Sequence, residues 1–212
     1  MIINKLIIDS TNAETDLCKL GVIFPTDKSP YNCSPELHKH SYTAIYDFLF
    51  SSIRNRDLVM CEIGILDNKS INCWRNYFPN AAIYGFEYNS FLIDNARKEN
   101  LNNVFYDLID VKDPNSIDNA FSKQNQLFDI IVEDSTHIVQ DQLNVICISH
   151  KYLKDGGYLI IEDIFKDCDL NVYSEFLNNP NNKFSSCFVV DANHSLCDSK
   201  GWNNDRLLIL IK

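Results

Sequence analysis

Five side chains in two short stretches are of the types that do chemistry: Glu133, Asp134 and His137 in Phe128-Asp-Ile-Ile-Val-Glu-Asp-Ser-Thr-His137, and Glu162 and Asp163 in Gly157-Tyr-Leu-Ile-Ile-Glu-Asp-Ile164. Carboxylate oxygens are hard donors and suit Mg2+ or a similar ion. An imidazole three residues beyond Asp134 stands where it can take a proton from a hydroxyl that such an ion has acidified. Both stretches are runs of β-branched apolar residues that end in acids, the pattern of buried parallel strands. Neighbouring strand ends lie roughly 4.8 Å apart, so two of them can share one ion. Adjacent strand residues point to opposite faces, and Glu162 and Asp163 can share it only if their strand breaks there.

Further acids fall at the ends of other apolar runs. Glu87 closes Tyr84-Gly-Phe-Glu-Tyr88, where it can accept hydrogen bonds from both hydroxyls of a ribose. Tyr106-Asp-Leu-Ile-Asp110 brings another acid to the same rim, within reach of an adenine amino group. Acids at successive strand tips, in a chain of net charge −10, suit an adenosine carrying a positive sulfonium better than one carrying phosphates. Between the first strand and its helix, Cys61-Glu-Ile-Gly-Ile-Leu-Asp-Asn-Lys-Ser70 supplies a turn in which Gly64 is the one glycine. Asn68 takes over a left-handed position there, because Asn tolerates that region.

The elements that must hold these residues alternate regularly. Strands are expected at Leu58–Ile65, Ala82–Tyr88, Asn103–Ile109, Leu127–Glu133 and Tyr158–Glu162, and helices at Ser70–Phe78, Ser90–Glu99, Asn115–Ser122, Val139–Leu153 and Leu170–Leu177. Phe184–Asp191 and Arg206–Ile211 are two closing strands joined only by a loop, 192–205, so they should pair antiparallel. Strand–helix repetition predicts an α/β fold, a doubly wound and mostly parallel sheet of seven strands with an antiparallel C-terminal edge hairpin. The expected organisation is one domain over 1–212, with residues 1–55 as a helical or lid segment and 56–212 as a Rossmann-like core. A helix is expected over Pro35–Ile53, with Ser34 as its N-cap, and another around Ala13–Leu20.

Composition narrows the function classes. A chain of 212 residues with 45% hydrophobic residues is long enough and apolar enough to fold around a core. The negative charge argues against nucleic acid as a partner. Its eight cysteines form no C-x-x-C pair and read as reduced thiols, with Cys61 and Cys147 inside apolar runs. No apolar run is long enough to span a membrane, and the opening Met1–Ile8 is too short for a signal segment, so a cytoplasmic protein is expected. The asparagine run Asn178–Asn182 marks a loop. A homo-oligomer is left open.

These residues together resemble the class I S-adenosylmethionine-dependent methyltransferases, and more narrowly the macrocin-type (macrolide sugar) O-methyltransferases. The resemblance rests on Thr26-Asp-Lys28, His40-Ser-Tyr42 with Tyr46, Glu62-Ile-Gly64, Trp74-x-x-Tyr77-Phe-Pro-Asn80, Asp134-x-x-His137 and Tyr158-Leu-Ile-Ile-Glu-Asp163. It implies Mg2+-dependent methyl transfer from S-adenosyl-L-methionine to a hydroxyl of a sugar or other small-molecule acceptor. It also implies roles: Asp134, Glu162 and Asp163 as metal ligands, His137 as the general base, and Tyr42, Glu62, Gly64, Ser70, Glu87, Asp107 and Asp134 around the cofactor. Asn68-Lys69 stands where the family has Gly-Gly. Two alternatives stay open: a catechol-type acceptor, and a binding module that keeps the fold without the catalysis.

Overall fold

The computed structural model describes residues 2–180 and 182–212, so Met1 of the opening run and Asn181 of the asparagine run lie outside the described residues. In chain order the elements are β1 (Asn4–Asp9), α1 (Asp16–Ile23), α2 (Tyr42–Phe50), β2 (Val59–Ile63), α3 (Lys69–Tyr77), β3 (Ala82–Glu87), α4 (Ser90–Lys98) and β4 (Val104–Leu108). There follow α5 (Pro114–Ser122), β5 (Phe128–Glu133), α6 (Val139–Ser149), β6 (Leu153–Ile161), α7 (Asn171–Leu177), β7 (Ser186–Asn193) and β8 (Arg206–Ile211). Local chemistry starts several helices. Thr15, Asn89 and Asp113 each accept a backbone N–H of the first turn, and Pro114 occupies the first turn of α5.

The sheet runs β1-β7-β8-β6-β5-β2-β3-β4. All neighbouring pairs are parallel except those made by β8, which runs antiparallel to both β6 and β7. The alternation read from the sequence therefore becomes a doubly wound sheet, and the closing hairpin forms. An eighth strand joins it, because β1 pairs parallel with β7 from Asn4↔Phe188 to Asp9↔Asn193. The opening of the expected helical segment is thus a strand. Residues 4–9 show no period of their own, and only the free side of β7 gives them a ladder.

Each face of the sheet is covered. Trp74, Tyr46, Phe50, Ile93 and Leu17 pack against Met60, Ile83, Ile130 and Val132 on one side. Ile117, Phe121, Val145 and Tyr173 pack against Cys61, Ile131, Leu159 and Leu208 on the other. Strand neighbours such as Ile130 and Ile131 are buried on opposite faces, which is why these strands read as continuous apolar runs.

Two expectations for local structure are corrected. The helix expected from Pro35 begins only at Tyr42, with Ser41 in the N-cap position. Residues 35–41 are held out of helix by tertiary bonds: Lys39 bridges to Asp198, and Asn32 Nδ2 donates to His38 O at 3.0 Å. Cys147 is exposed on the outer side of α6, whereas Cys61 is buried, and all the cysteines are free. Among the described residues no helix is long and apolar enough to cross a membrane.

Candidate active site

Strand order reverses at β2, which has β5 on one side and β3 on the other. Open α/β sheets bind ligands outside the carboxyl ends of the strands at such a point. A cavity of about 460 Å³ lies there, walled by Gly64, Ser70, Glu87, Asp110, Asp134 and His137 among others. Its size falls within the range of small-molecule sites.

Gly64 follows the last residue of β2 with φ +87°, and a Cβ at this position would lie 2.0 Å from the backbone oxygen of Asp134. Any side chain here drives the two strand exits apart. Leu66 and Asn68 continue the turn with φ 43° and 67°. Asn68 accepts from the Tyr106 hydroxyl at 2.9 Å, so it fills its left-handed position with a side-chain anchor. Ser70 sits in the first turn of α3 and lines the cavity.

Glu87 closes the opposite wall. Its Oε2 accepts from the backbone N–H of Ile65 at 3.2 Å, and its Oε1 from Tyr88 and Asn89 at 2.9 and 3.0 Å. These bonds fix the carboxylate between the exits of β2 and β3. Asp107, the other acid implied for adenosine, is not on the cavity. It lies within β4, ion-paired at 3.2 Å with Lys123 of α5. Asp110 lines the cavity instead, because the chain must leave the strand before a side chain can turn onto the rim.

The acids that follow β5 and β6 meet beside the cavity. Asp134, His137 and Asp163 each offer a ligand atom, and these atoms all lie within 4.8 Å of one another. His137 and Asp163 both have left-handed backbones, φ 57° and 58°. Non-glycine residues held there cost energy and recur at functional sites. β6 ends at Ile161, so the strand has indeed broken before Glu162 and Asp163, and the two diverge. Asp163 Oδ1 accepts from the Tyr42 hydroxyl at 2.7 Å, while Oδ2 lies 3.6 Å from both His137 Nε2 and His40 Nε2.

Glu162 turns the other way. It accepts from the Tyr46 hydroxyl and, at 2.8 Å, from Lys28 Nζ. Of the implied set Asp134, Glu162 and Asp163, the structure brings Asp134 and Asp163 together with His137, while Glu162 is engaged by Lys28 and Tyr46. Tyr42 and Glu62, also implied for the cofactor, do not line the cavity. Tyr42 is a buried prop for Asp163, and Glu62 is a buried acceptor for Trp74 Nε1 at 2.6 Å.

Lys28 has no role in the sequence beyond its place in Thr26-Asp-Lys28. Its ammonium is buried, donates to Asp134 Oδ2 and Glu162 Oε2, and lies 3.2 Å from Glu62 Oε1. One cation thus faces three carboxylates. Burial pushes Glu162 up to about 7, with Lys28 pulling it back, and pushes Asp134 up in the same way. The excess of negative charge fits a divalent cation. Burial lowers the pKa of His137, favouring its neutral form, and its Nδ1 has no hydrogen-bond partner. His40 behaves oppositely: although burial lowers it, Asp163 and Asp205 raise it to about 9.

Trp202 completes the rim. Its indole packs edge-on to His38 and His137, with centroids 5.3 and 6.2 Å away, and 5.7 Å from Phe165, yet the residue remains 49% exposed. No signal in the sequence singles it out beyond its place in the loop 192–205.

No protein-family model matches the chain. Among curated proteins it is 24% identical over 134 residues to a rhamnosyl-tetracenomycin 3'-O-methyltransferase of Streptomyces olivaceus, covering 59% of this chain and 33% of that protein. It is 23% identical over 169 residues to the L-olivosyl-oleandolide 3-O-methyltransferase of Streptomyces antibioticus, covering 76% and 40%. Its fold superposes with a TM-score of 0.68 on the mycinamycin-pathway methyltransferase MycE, solved with Mg, S-adenosylhomocysteine and mycinamycin VI, at 18% identity over 94% of this chain and 55% of that one. The chain has the class I methyltransferase fold. It spans only 33% and 40% of the length of these two curated relatives. Gly64, Ser70, Glu87, Asp134 and His137 line one cavity, and Asp163 Oδ2 lies 3.6 Å from His137 Nε2.

Proposed function

We propose that this chain transfers a methyl group from S-adenosyl-L-methionine to a hydroxyl of a sugar or glycosylated small molecule, with Mg2+ held at Asp134 and Asp163. The observation that carries the reading is the cluster of Asp134, His137 and Asp163, two of which, Asp134 and His137, line the 460 Å³ cavity. Relatives that methylate glycosylated natural products support the acceptor class, and MycE was solved with Mg.

A divalent ion at these oxygens supplies Lewis acidity, which brings a sugar hydroxyl closer to ionisation. The chain does the rest. Glu87 and Asp110 hold the adenosine end of the donor, and Gly64 lets it approach the backbone of β2. His137, which lines the cavity beside Asp134, accepts the hydroxyl proton. Asp163, held by Tyr42, stands against its Nε2 at 3.6 Å and fixes the ring. Lys28, itself held by Glu162, donates to Asp134 and orients it. Displacement at the methyl carbon is in line, so catalysis rests on this positioning.

Calorimetry with S-adenosylmethionine and S-adenosylhomocysteine tests the donor pocket. Methyl transfer to rhamnosides and other glycosides, run beside catechols with and without EDTA, tests the acceptor and the ion. His137→Ala is expected to abolish transfer while cofactor affinity stays within about threefold, since the side chain meets the acceptor and not the adenosine. Loss of cofactor binding with unchanged turnover per bound enzyme would overturn its role as base.

A further inference from the structure

The two edges of the sheet are built differently. At the β4 edge Arg97 donates to the Tyr106 carbonyl at 2.9 Å, which blunts the ladder. At the other edge β1 is the outermost strand, and no strand among the described residues pairs with its outer side. Ser10 N donates to Asn193 O at 2.9 Å, so counting back along the strand places the even-numbered peptide groups toward β7. The N–H and C=O groups of Lys5, Ile7 and Asp9 therefore point outward. The side chains beside them are apolar and exposed, Ile7 by 69% and Leu6 by 44%. A free edge of this kind templates strand addition unless it is protected.

The sequence of this strand is suited to one partner. Asn4-Lys5-Leu6-Ile7-Ile8-Asp9-Ser10 reads polar, positive, apolar, apolar, apolar, negative, polar. We propose that β1 pairs antiparallel with β1 of a second copy, about a two-fold axis through Ile7, making one continuous sheet across both. In that register Lys5 faces Asp9 of the second copy, Asp9 faces its Lys5, and Leu6 faces its Ile8. The residues with outward peptide groups, Lys5, Ile7 and Asp9, are those that meet in hydrogen-bonded pairs. A shift that moves the axis to Leu6 sets Lys5 against Ile7 and Asp9 against Ile3, so neither charge meets its opposite. Lys5 is free to take part. It is 52% exposed, and its present partner Asp191 keeps Arg206 Nε at 2.6 Å.

Sedimentation equilibrium of the whole chain over a range of concentrations, at low and high salt, tests this. The expected mass rises from 24.5 kDa to twice that value. Ile7→Arg sets two guanidinium groups on the axis and is expected to leave a monomer with an unchanged melting curve. Asp9→Lys, which opposes two lysine pairs, should weaken association roughly tenfold, since facing charges contribute up to about 1 kcal/mol each. Adding Lys5→Asp to Asp9→Lys restores the complementarity and should restore association. A wild-type chain that stays monomeric at millimolar concentration overturns the proposal. So does an Ile7→Arg chain that associates as before, or a double variant no stronger than Asp9→Lys alone.

Discussion

Replacing Lys28 by Met keeps the length of the side chain and removes its charge. In the structure that charge faces Glu162 at 2.8 Å, Glu62 at 3.2 Å and Asp134 in a direct hydrogen bond, all with side chains buried or nearly so. Taking one partner from a buried ion pair costs about 3–5 kcal/mol, because the remaining charge has neither water nor counterion. Protonation limits the loss. Burial has already pushed Glu162 up to about 7 with Lys28 present, and removing Lys28 pushes it higher. An acid whose folded pKa exceeds its unfolded value favours folding at low pH, and loses that contribution as pH rises from its unfolded value through its folded one. The expected outcome is therefore a loss of about 3–5 kcal/mol at pH 8 and a smaller loss at pH 5.5. Urea denaturation at both values, followed by tryptophan fluorescence, measures it. Lys28→Met combined with Glu162→Gln should recover part of the stability, as expected of residues in contact. A loss below about 1 kcal/mol at pH 8, the size of a surface pair, would refute the reasoning. So would equal losses at the two pH values.

Three further outcomes follow from the same geometry. Gly64→Ala, facing the Asp134 carbonyl at 2.0 Å with φ +87°, should lower the melting temperature and weaken cofactor binding in calorimetry, beyond the ~1–2 kcal/mol cost of a left-handed side chain. Glu133 is buried, and desolvation raises it to about 7, against a hydrogen bond from Ser135. Its fold therefore loses stability as pH rises from about 4.5 through about 7, and Glu133→Gln should flatten that part of the stability–pH curve. Trp202→Ala should raise the acceptor KM with little change in cofactor affinity, while Trp202→Phe keeps most of the aromatic surface, so steady-state kinetics separate the two.

Much of this protein was legible before folding was considered. The order of strands and helices from β2 to β8 follows from local periodicity, and each apolar run that ends in an acid had to deliver that acid to one rim of a parallel sheet. Hence Asp134, His137, Asp163 and Glu87 could be placed at a common edge from the sequence, and Gly64 at the turn between them. Asp107 could not be placed so well, because one residue along a strand decides which face a side chain takes. It lies within β4, on the side where Lys123 at the end of α5 pairs with it at 3.2 Å.

Which oxygen faces which neighbour was a matter for tertiary structure. Lys28 reaches Asp134 across 106 residues of chain, and Tyr46 reaches Glu162 across 116. No local pattern encodes such meetings. They turn Glu162 inward, leave Asp134, His137 and Asp163 clustered together, and make Tyr42 a prop. The same holds for β1, whose six residues have no helical or alternating period and become a strand only because β7 presents a free ladder. Composition and periodicity determined the elements and the rim. Contacts between distant segments decided how the charges were shared among them, because Coulomb energy and desolvation depend on distance in space and not along the chain.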